Sequence, residues 1–312
     1  MANRVTNNRL WREHSGTRIL TCVLVALLSI SCLTAFTFPA QNLSNDSIFA
    51  ARMAEAHAEH LESLPIGKRV VAMGRLFLGT PYVAGTLDTS AYGEHLIVDL
   101  HGFDCVTFYE NMLALARIVR EYRTPTMKDF ENELTFLRYR NGKINGFHSR
   151  LNYSIDYFYN NQKKGVLRIV TREVGGRYAK YDDRAIDFMT KHRARYKQLA
   201  NHPAEYAAML EIESDIHARR GFYYIPKADV AKVESKIETG DILGLTTNIP
   251  GLDCSHTGVA VRLSDGRIHF MHASSLQGKV IISKEPLAEY LTHSNEQTGI
   301  IVNRPLEVKP KY

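Results

Sequence analysis

One cysteine at the head of a helix-like stretch and two histidines on neighbouring strand-like runs have the types and spacing that nucleophilic chemistry needs. Cys105 follows Phe103-Asp104, and the apolar positions after it (Val106, Tyr109, Met112, Leu113, Ala116, Val119, Tyr122) keep helical spacing until Pro125. Asp104 stands where an N-cap belongs, which puts Cys105 in the first turn. A thiol there faces unpaired backbone N–H groups and the positive end of the helix dipole, and both favour the thiolate. Activation needs a base. His256, at the start of a β-run beside the small residues Thr257 and Gly258, is placed to supply it. His272 lies sixteen residues further on, in the run His269-Phe270-Met271-His272-Ala273. Two antiparallel strands joined at Asp265-Gly266 would bring these imidazoles together, one as base and the other as its orienter, which is the logic of a catalytic triad.

Each piece alone has a plainer reading. A cysteine at a helix start is more often a small buried apolar residue, and a lone strand histidine is more often a hydrogen-bonded core or surface group. Cys254 is read as structural or incidental, His269 is assigned no role, and His57 and His60 fall in a charged, solvated helical stretch. Cys254-x-His256 with His269-x-x-His272 is the one arrangement that suggests a metal cluster, but it matches no familiar zinc spacing and H-E-x-x-H is missing. No metal or organic cofactor is expected.

The elements that must position these residues sit in a chain of 312 residues, 45% hydrophobic and 23% charged, which carries enough apolar mass for one large domain or two small ones. Four cysteines without a C-x-x-C pair exclude a disulfide-dense scaffold and a zinc ribbon. Of the net charge of +6, Arg4, Arg9, Arg12 and Arg18 against Glu13 contribute +3 before residue 20, so the remainder is nearly balanced and no nucleic-acid partner is expected. After that basic stretch come an apolar run, Ile19 to Ile30, and the small residues Ser31, Cys32, Thr34 and Ala35. This is the order of a secretory signal, too short for a comfortable spanning helix, and it predicts export to the periplasm or cell envelope. Leu28-Ser29-Ile30-Ser31-Cys32 is similar to a lipoprotein cleavage box, with Ser29 where an aliphatic residue is usual. Membrane anchoring through a lipidated Cys32, cleavage near Ala35 and an uncleaved anchor all stay open. The expected division is a targeting segment over 1–40 and one catalytic domain over 41–312.

Within that domain Ile66 to Leu78 reads as an amphipathic helix, and Gly79 to Gly102 as a loop with one strand at Leu96 to Leu100. A mixed, mainly helical insert spans about 124–238, with helix-like pieces at Met127 to Leu137, Asn152 to Asn161, Ala185 to Leu199 and Pro203 to Arg219. Beyond Ile237 come β-rich runs at Asp241 to Thr246, His256 to Leu263, Arg267 to His272, Val280 to Ser283 and Ile300 to Asn303, an antiparallel meander by its turn chemistry. The fold class is α+β, a cysteine-bearing helix on a small antiparallel sheet that bears histidine.

The order Gly79-Thr80-Pro81-Tyr82, Phe103-Asp104-Cys105, Gly240-Asp241-Ile242, His256-Thr257-Gly258-Val259-Ala260 and His272-Ala273 resembles the NlpC-type papain-like cell-wall hydrolases over about Ile66 to Pro305. The resemblance implies a papain-like core, with Cys105 as nucleophile, His256 as base, His272 as orienter and Tyr82 supporting the oxyanion. The common helix start of that superfamily is Asp-Cys-Ser-Gly, whereas here it is Asp104-Cys105-Val106-Thr107 followed by Phe108-Tyr109-Glu110-Asn111. With Phe147-His148-Ser149-Arg150-Leu151-Asn152-Tyr153, Gly251-Leu252-Asp253 and His272-Ala273-Ser274-Ser275, this variant closely resembles the N-acetylmuramoyl-L-alanine amidase-like branch, although Tyr157 stands where tryptophan is expected. The branch motifs imply substrate contacts at Asp104, Arg150, Tyr153 and Ser274.

The activity this implies is cysteine-dependent cleavage of the lactyl-L-alanine amide in a muropeptide or peptidoglycan fragment. Arg138, Arg140, Arg150, Arg168 and Arg172 of the insert are read either as meeting the carboxylates of the stem peptide or as a solvated basic face. The nearest rival is an endopeptidase cutting between D-glutamate and the diamino acid, for which the lost serine at position 106 is unfavourable. A non-catalytic wall-binding protein and a zinc amidase are further alternatives. A lipid acyltransferase of the same superfamily is disfavoured because Cys105 precedes His256.

Overall fold

Strands that alternate apolar side chains to both faces need a layer on each side, and this requirement sets the architecture. The protein is described by a computed structural model over residues 43–88 and 93–312. The targeting segment read at 1–40, with Cys32, lies outside the described residues.

In chain order the helices are α1 (Asn45–Ala58), α2 (Ile66–Leu76), α3 (Cys105–Glu121), α4 (Met127–Arg138), α5 (Ser154–Lys163), α6 (Thr171–Gly175), α7 (Phe188–Lys191), α8 (Lys197–Ala200), α9 (Pro203–Ala218), α10 (Val230–Val233) and α11 (Leu287–Tyr290). The strands are β1 (Leu167–Ile169), β2 (Lys180–Asp182), β3 (Phe222–Pro226), β4 (Ile242–Thr247), β5 (Cys254–Arg262), β6 (Ile268–Ser274), β7 (Lys279–Pro286) and β8 (Gln297–Pro305). They form one antiparallel sheet in the order β2-β3-β8-β4-β5-β6-β7, with β1 also paired to β8. The expected meander is β4 to β7, and β8 returns to the far flank of β4.

One face of the sheet (Val259, Val261, Met271, Ile301) packs with Phe49, Val70, Leu113 and Phe130 of α1 to α4. The other face (Leu243, Leu245, Phe270, Ile300) packs with Val174, Val233 and Leu287 of α6, α10 and α11. Helix α3 is buried from Thr107 through Val119, so it has no solvent face over that span. Its two internal charges are paired, Glu110 with Arg138 at 2.8 Å and Arg117 with Glu133 at 2.5 Å. Arg69 of α2 is fully buried, donates to the carbonyl of Ala116 in α3 at 2.6 Å, and pairs with Glu307 beyond β8.

Three local expectations change. Leu96 to Leu100 is no strand, because its backbone is held by side chains: Asn45 bonds both the Val98 carbonyl and the Leu100 amide, and Arg138 bonds the Ile97 carbonyl. The helix expected over Ala185 to Leu199 is broken into α7, a 3-10 turn at Arg193–Arg195 and α8, with the Arg193 guanidinium bonded to the Leu199 carbonyl. The insert is not purely helical. It contributes β1, β2 and β3, and a cluster of its own around Phe147, Tyr153, Met189, Leu199 and Met209 holds the rest together.

Gly258 tests how closely β5 and β6 must approach. A Cβ there would stand 2.5 Å from the Met271 carbonyl and 2.7 Å from the Phe270 ring. Gly258→Ala is therefore expected to lower stability by about 1–3 kcal/mol. Urea denaturation checks this, and a midpoint equal to wild type would contradict it.

Candidate active site

The first turn of α3 is built by its cap. Asp104 accepts from the amides of Val106 and Thr107 at 3.0 and 2.7 Å, and the Thr107 hydroxyl accepts from the Asp104 amide at 2.9 Å. This reciprocal pair fixes Cys105 as the first helical residue, with a backbone N–H that has no partner inside the helix. The chain before the cap runs alongside it: Val83 donates to the Phe103 carbonyl and Phe103 to the Pro81 carbonyl, both at 3.0 Å. Half-buried Tyr82 is thereby held beside the thiol. Burial first, then the charges of Cys105 and Asp104, raise its hydroxyl above the usual phenol range. From the sheet, the Thr257 hydroxyl donates to the Cys105 carbonyl at 2.9 Å, so α3 is tied to β5 one residue beyond His256.

The register of β5 and β6 pairs Val259 with Met271, which puts His256 and His272 on one face of the sheet. His256 Nε2 and His272 Nδ1 are 2.6 Å apart, with the rings nearly perpendicular. A bulge precedes them: Leu245 faces His256 while Thr246 faces Cys254, so Ser255 is the extra residue. Cys254 and His256 consequently point to opposite faces. Cys254 is buried in the α3-side core near Gly244, the structural role expected of it. His272 is stacked on Phe270 at 4.6 Å and meets Tyr290 of α11 edge-on at 5.3 Å. His269 faces the other way, bonded to the Ser283 carbonyl and to Asp265, both at 2.9 Å.

Burial decides the charge state. It pushes the Cys105 thiol up to about 11, aided by the Asp104 carboxylate and opposed by the Thr257 hydrogen bond. The helix start was expected to favour the thiolate, and here desolvation outweighs it. Burial also holds His256 down at about 4 and, together with the charge on His256, holds His272 at about 3. At neutral pH the resting set is a thiol with two uncharged imidazoles. Because Nε2 of His256 is taken by His272, Nδ1 is the nitrogen left for a proton from outside the pair.

Asp104, Arg150 and Tyr153 come together around one cavity of about 180 Å³, with Glu110 and Arg138 in its wall. Arg150 is held there by Glu94 at 3.1 Å and Asp88 at 3.5 Å, over the Phe147 ring. Tyr153 spends its hydroxyl on Glu213 at 2.7 Å and the Met189 amide at 2.8 Å, so it pins the insert. Ser274 is not in this cavity. Its hydroxyl accepts from the Gln277 amide at 3.1 Å and shapes the β6–β7 turn. The insert arginines are no free basic face either: Arg138 is paired with Glu110, Arg140 with Asp156 and Arg168 with Glu173. Among the described residues, no group of three or more His, Cys, Asp or Glu side chains is arranged to hold a metal ion.

The structure also assigns roles that spacing does not reveal. Thr257 anchors the helix that begins at Cys105, and Tyr290 lies close enough to Cys105 that the thiolate's charge adds to burial in raising its hydroxyl to about 12. Asp253 caps α5 by accepting from the Ile155 amide at 2.7 Å. Asp253 and Thr257 stood inside motifs, though neither motif assigned them these roles. Tyr290 sits on a four-residue helix that has no sequence signature.

A buried neutral histidine pair makes stability depend on pH. The unfolded chain binds protons near pH 6.5, whereas the folded pair resists them down to about 4 and 3. This contribution is complete above about pH 6.5 and is lost as pH falls toward 4, at about 1.4 kcal/mol per tenfold difference in proton affinity. A His256→Gln/His272→Asn double variant should show a flatter stability curve between pH 7 and pH 4. Denaturant midpoints measured across that range check it, and parallel curves would contradict it.

The comparisons with known proteins bear on the family and the fold. A family model described as AmiA-like, N-acetylmuramoyl-L-alanine amidase-like, matches residues 72–300. The chain is 37% identical to an N-acetylmuramoyl-L-alanine amidase from Bacteroides uniformis ATCC 8492, with a TM-score of 0.69 over 78% of this chain and 99% of that one. It is also 37% identical to a Bacteroides fragilis protein described as a candidate xylanase, with a TM-score of 0.66 over 74% of this chain and 98% of that one. A Legionella pneumophila protein, 23% identical, shares the fold with a TM-score of 0.62 over 84% of this chain and 95% of that one. No curated protein matches the chain. With most of its length matched by the family model and by the Bacteroides structures, the chain belongs to the AmiA-like, N-acetylmuramoyl-L-alanine amidase-like family.

Proposed function

We propose that this protein is a cysteine-dependent amidase with a papain-like catalytic set, cleaving the bond between the lactyl group of muramic acid and L-alanine in peptidoglycan fragments. The observation that carries the thiol mechanism is the 2.6 Å bond between His256 and His272, beside the strand that anchors Cys105. The family supplies the class of bond.

In this reading the lactyl carbonyl docks against Cys105, and its oxygen takes the Cys105 backbone N–H and the Tyr82 hydroxyl. As sulfur bonds to the carbonyl carbon, the thiol proton passes to Nδ1 of His256, whose Nε2–H donates to His272. The neutral resting set makes this a general-base step that waits for substrate. The tetrahedral intermediate collapses by breaking the C–N bond, and the leaving amine takes the proton from Nδ1. Water then attacks the thioester, gives one proton to His256, and releases the muramic acid carboxylate with the thiol restored. The cavity bounded by Asp104, Arg138 and Arg150 supports a pocket for the acidic part of the stem peptide.

Two other readings fit less well. An endopeptidase normally carries serine where Val106 stands. Glycoside cleavage, the activity in the description of the Bacteroides fragilis protein, needs two available carboxylates. The nearest ones here are committed, Asp104 to the α3 cap and Glu110 to Arg138. The order of basic, apolar and small residues over 1–35 further supports export and attachment at Cys32. Radiolabelled palmitate incorporated by wild type and lost in Cys32→Ser would support the anchor, and incorporation by neither would remove it.

Mass spectrometry of purified muropeptide digests tests the activity. The expected products are free stem peptide and muramic sugar, with Cys105→Ala and His256→Ala each slower by about a thousandfold or more. Release of L-alanyl-D-glutamate would establish the endopeptidase. Full activity in Cys105→Ala with loss on chelation would establish a metal enzyme. Because the resting thiol is protonated, its alkylation by iodoacetamide should rise steadily from pH 7 to pH 10. Peptide mapping checks this, and a rate plateau near pH 6 would show a preformed thiolate.

A further inference from the structure

Tyr290 touches His272 of the histidine pair and also senses the thiol. Its ring meets His272 at 5.3 Å and Phe270 at 5.3 Å, and Cys105 and Glu285 both act on its hydroxyl. Behind it, His293 on the turn after α11 contacts the same ring at 6.4 Å. His272 is therefore enclosed by Phe270 on one side and Tyr290 on another, with His256 at its Nδ1. Its remaining nitrogen, Nε2, is buried without a hydrogen-bond partner. A buried polar atom left so is unfavourable, a penalty that persists only where the surrounding wall keeps water out.

We propose that Tyr290 is a positioning residue of the His256–His272 pair, its ring sealing the outer end of the pair so that Nδ1 of His256 stays unprotonated and faces the thiol. The inference rests on the amidase reading for its kinetic consequence only. A neutral pair with one shared proton has two arrangements. If His256 Nε2–H donates to His272 Nδ1, then His256 Nδ1 is a bare acceptor and can take the thiol proton. If His272 Nδ1–H donates instead, the proton of His256 must sit on Nδ1, and the base is blocked. Water at His272 Nε2 would favour protonation of His272, and an imidazolium there donates from Nδ1, which is the blocked arrangement. The rings packed on the pair are Phe270 of β6 and Tyr290 of α11, with His293 and Glu285 behind Tyr290, and Cys105 acts on the Tyr290 hydroxyl from α3. No lysine or arginine is among these groups. Dryness at Nε2, for which the Tyr290 ring is the movable part of the wall, keeps His272 neutral.

The test compares Tyr290→Phe, which keeps the ring, with Tyr290→Leu, which opens the wall, in the full-length protein. Tyr290→Leu should lower kcat by about tenfold or more with KM within about twofold, and move the acid limb of kcat/KM up by about one pH unit. Tyr290→Phe should stay within about threefold of wild type with the acid limb unmoved. In a Cys105→Ala background, NMR titration of the histidine ring protons should show His272 protonating at higher pH in Tyr290→Leu than in its parent. This readout needs no turnover, so an inactive wild type with a shifted titration overturns the amidase reading and supports the seal. An unshifted His272 in Tyr290→Leu overturns the seal, and so does equal damage from Phe and Leu, which would place the effect in the hydroxyl. If Tyr290→Leu does not fold, Tyr290→Met, nearer in volume, carries the same readouts.

Discussion

Helix α3 has nowhere to move. Buried on every face from Thr107 to Val119, it is held by the sheet below, by α2 and α4 alongside, and by two ion pairs that would be left as unpaired buried charges if it slid by a turn. Breaking such a pair typically costs about 3–5 kcal/mol, far more than the pair adds over an apolar substitute, so its value lies in specifying position. Everything at the site inherits that position. The Asp104 cap fixes where the helix begins, the Thr257 bond fixes how that beginning meets β5, and the bulge at Ser255 fixes which face His256 takes.

The same enclosure sets the chemistry. A site this dry cannot hold a thiolate–imidazolium pair cheaply at rest, so burial outweighs the pull of the helix N-terminus on the Cys105 thiol. The cavity beside it follows a different rule. There burial pushes the Glu110 and Glu94 carboxyls up while the guanidiniums of Arg138 and Arg150 beside them pull the other way, and the paired guanidiniums line a small polar recess.

Much of this could be read from residue order, for identifiable reasons. Helix α3 shows itself because its apolar positions follow the helical period over five turns and its cap is an aspartate, both local signals. The β5–β6 hairpin shows itself because its turn has the sequence Ser264-Asp265-Gly266, which places the two histidines on one face. What stayed hidden depends on contacts distant in sequence. Strands β1 and β3 are short and pair with β8 over a hundred residues and over seventy residues away respectively, and β3 pairs on its other side with the equally short β2. The insert arginines look like a basic surface until their carboxylate partners are known. The protonation of Cys105 has the opposite sign from the local expectation, because helix position is written in the sequence whereas burial belongs to the whole fold. Tyr290 combines both difficulties, being a single aromatic on one short turn of helix whose importance comes from two rings on another strand.

The place of β8 has a consequence for how the molecule comes to exist. This strand is the last of the eight in chain order, yet it lies inside the sheet, flanked by β3 and β1 on one side and β4 on the other. A chain short of its final strand therefore has two half-sheets and no centre, and the pairings that join them must close long loops. Folding is completed from the middle outward, after the final strand arrives. Until that strand is in place, β4 to β7 have no link through the sheet to β3 and the insert.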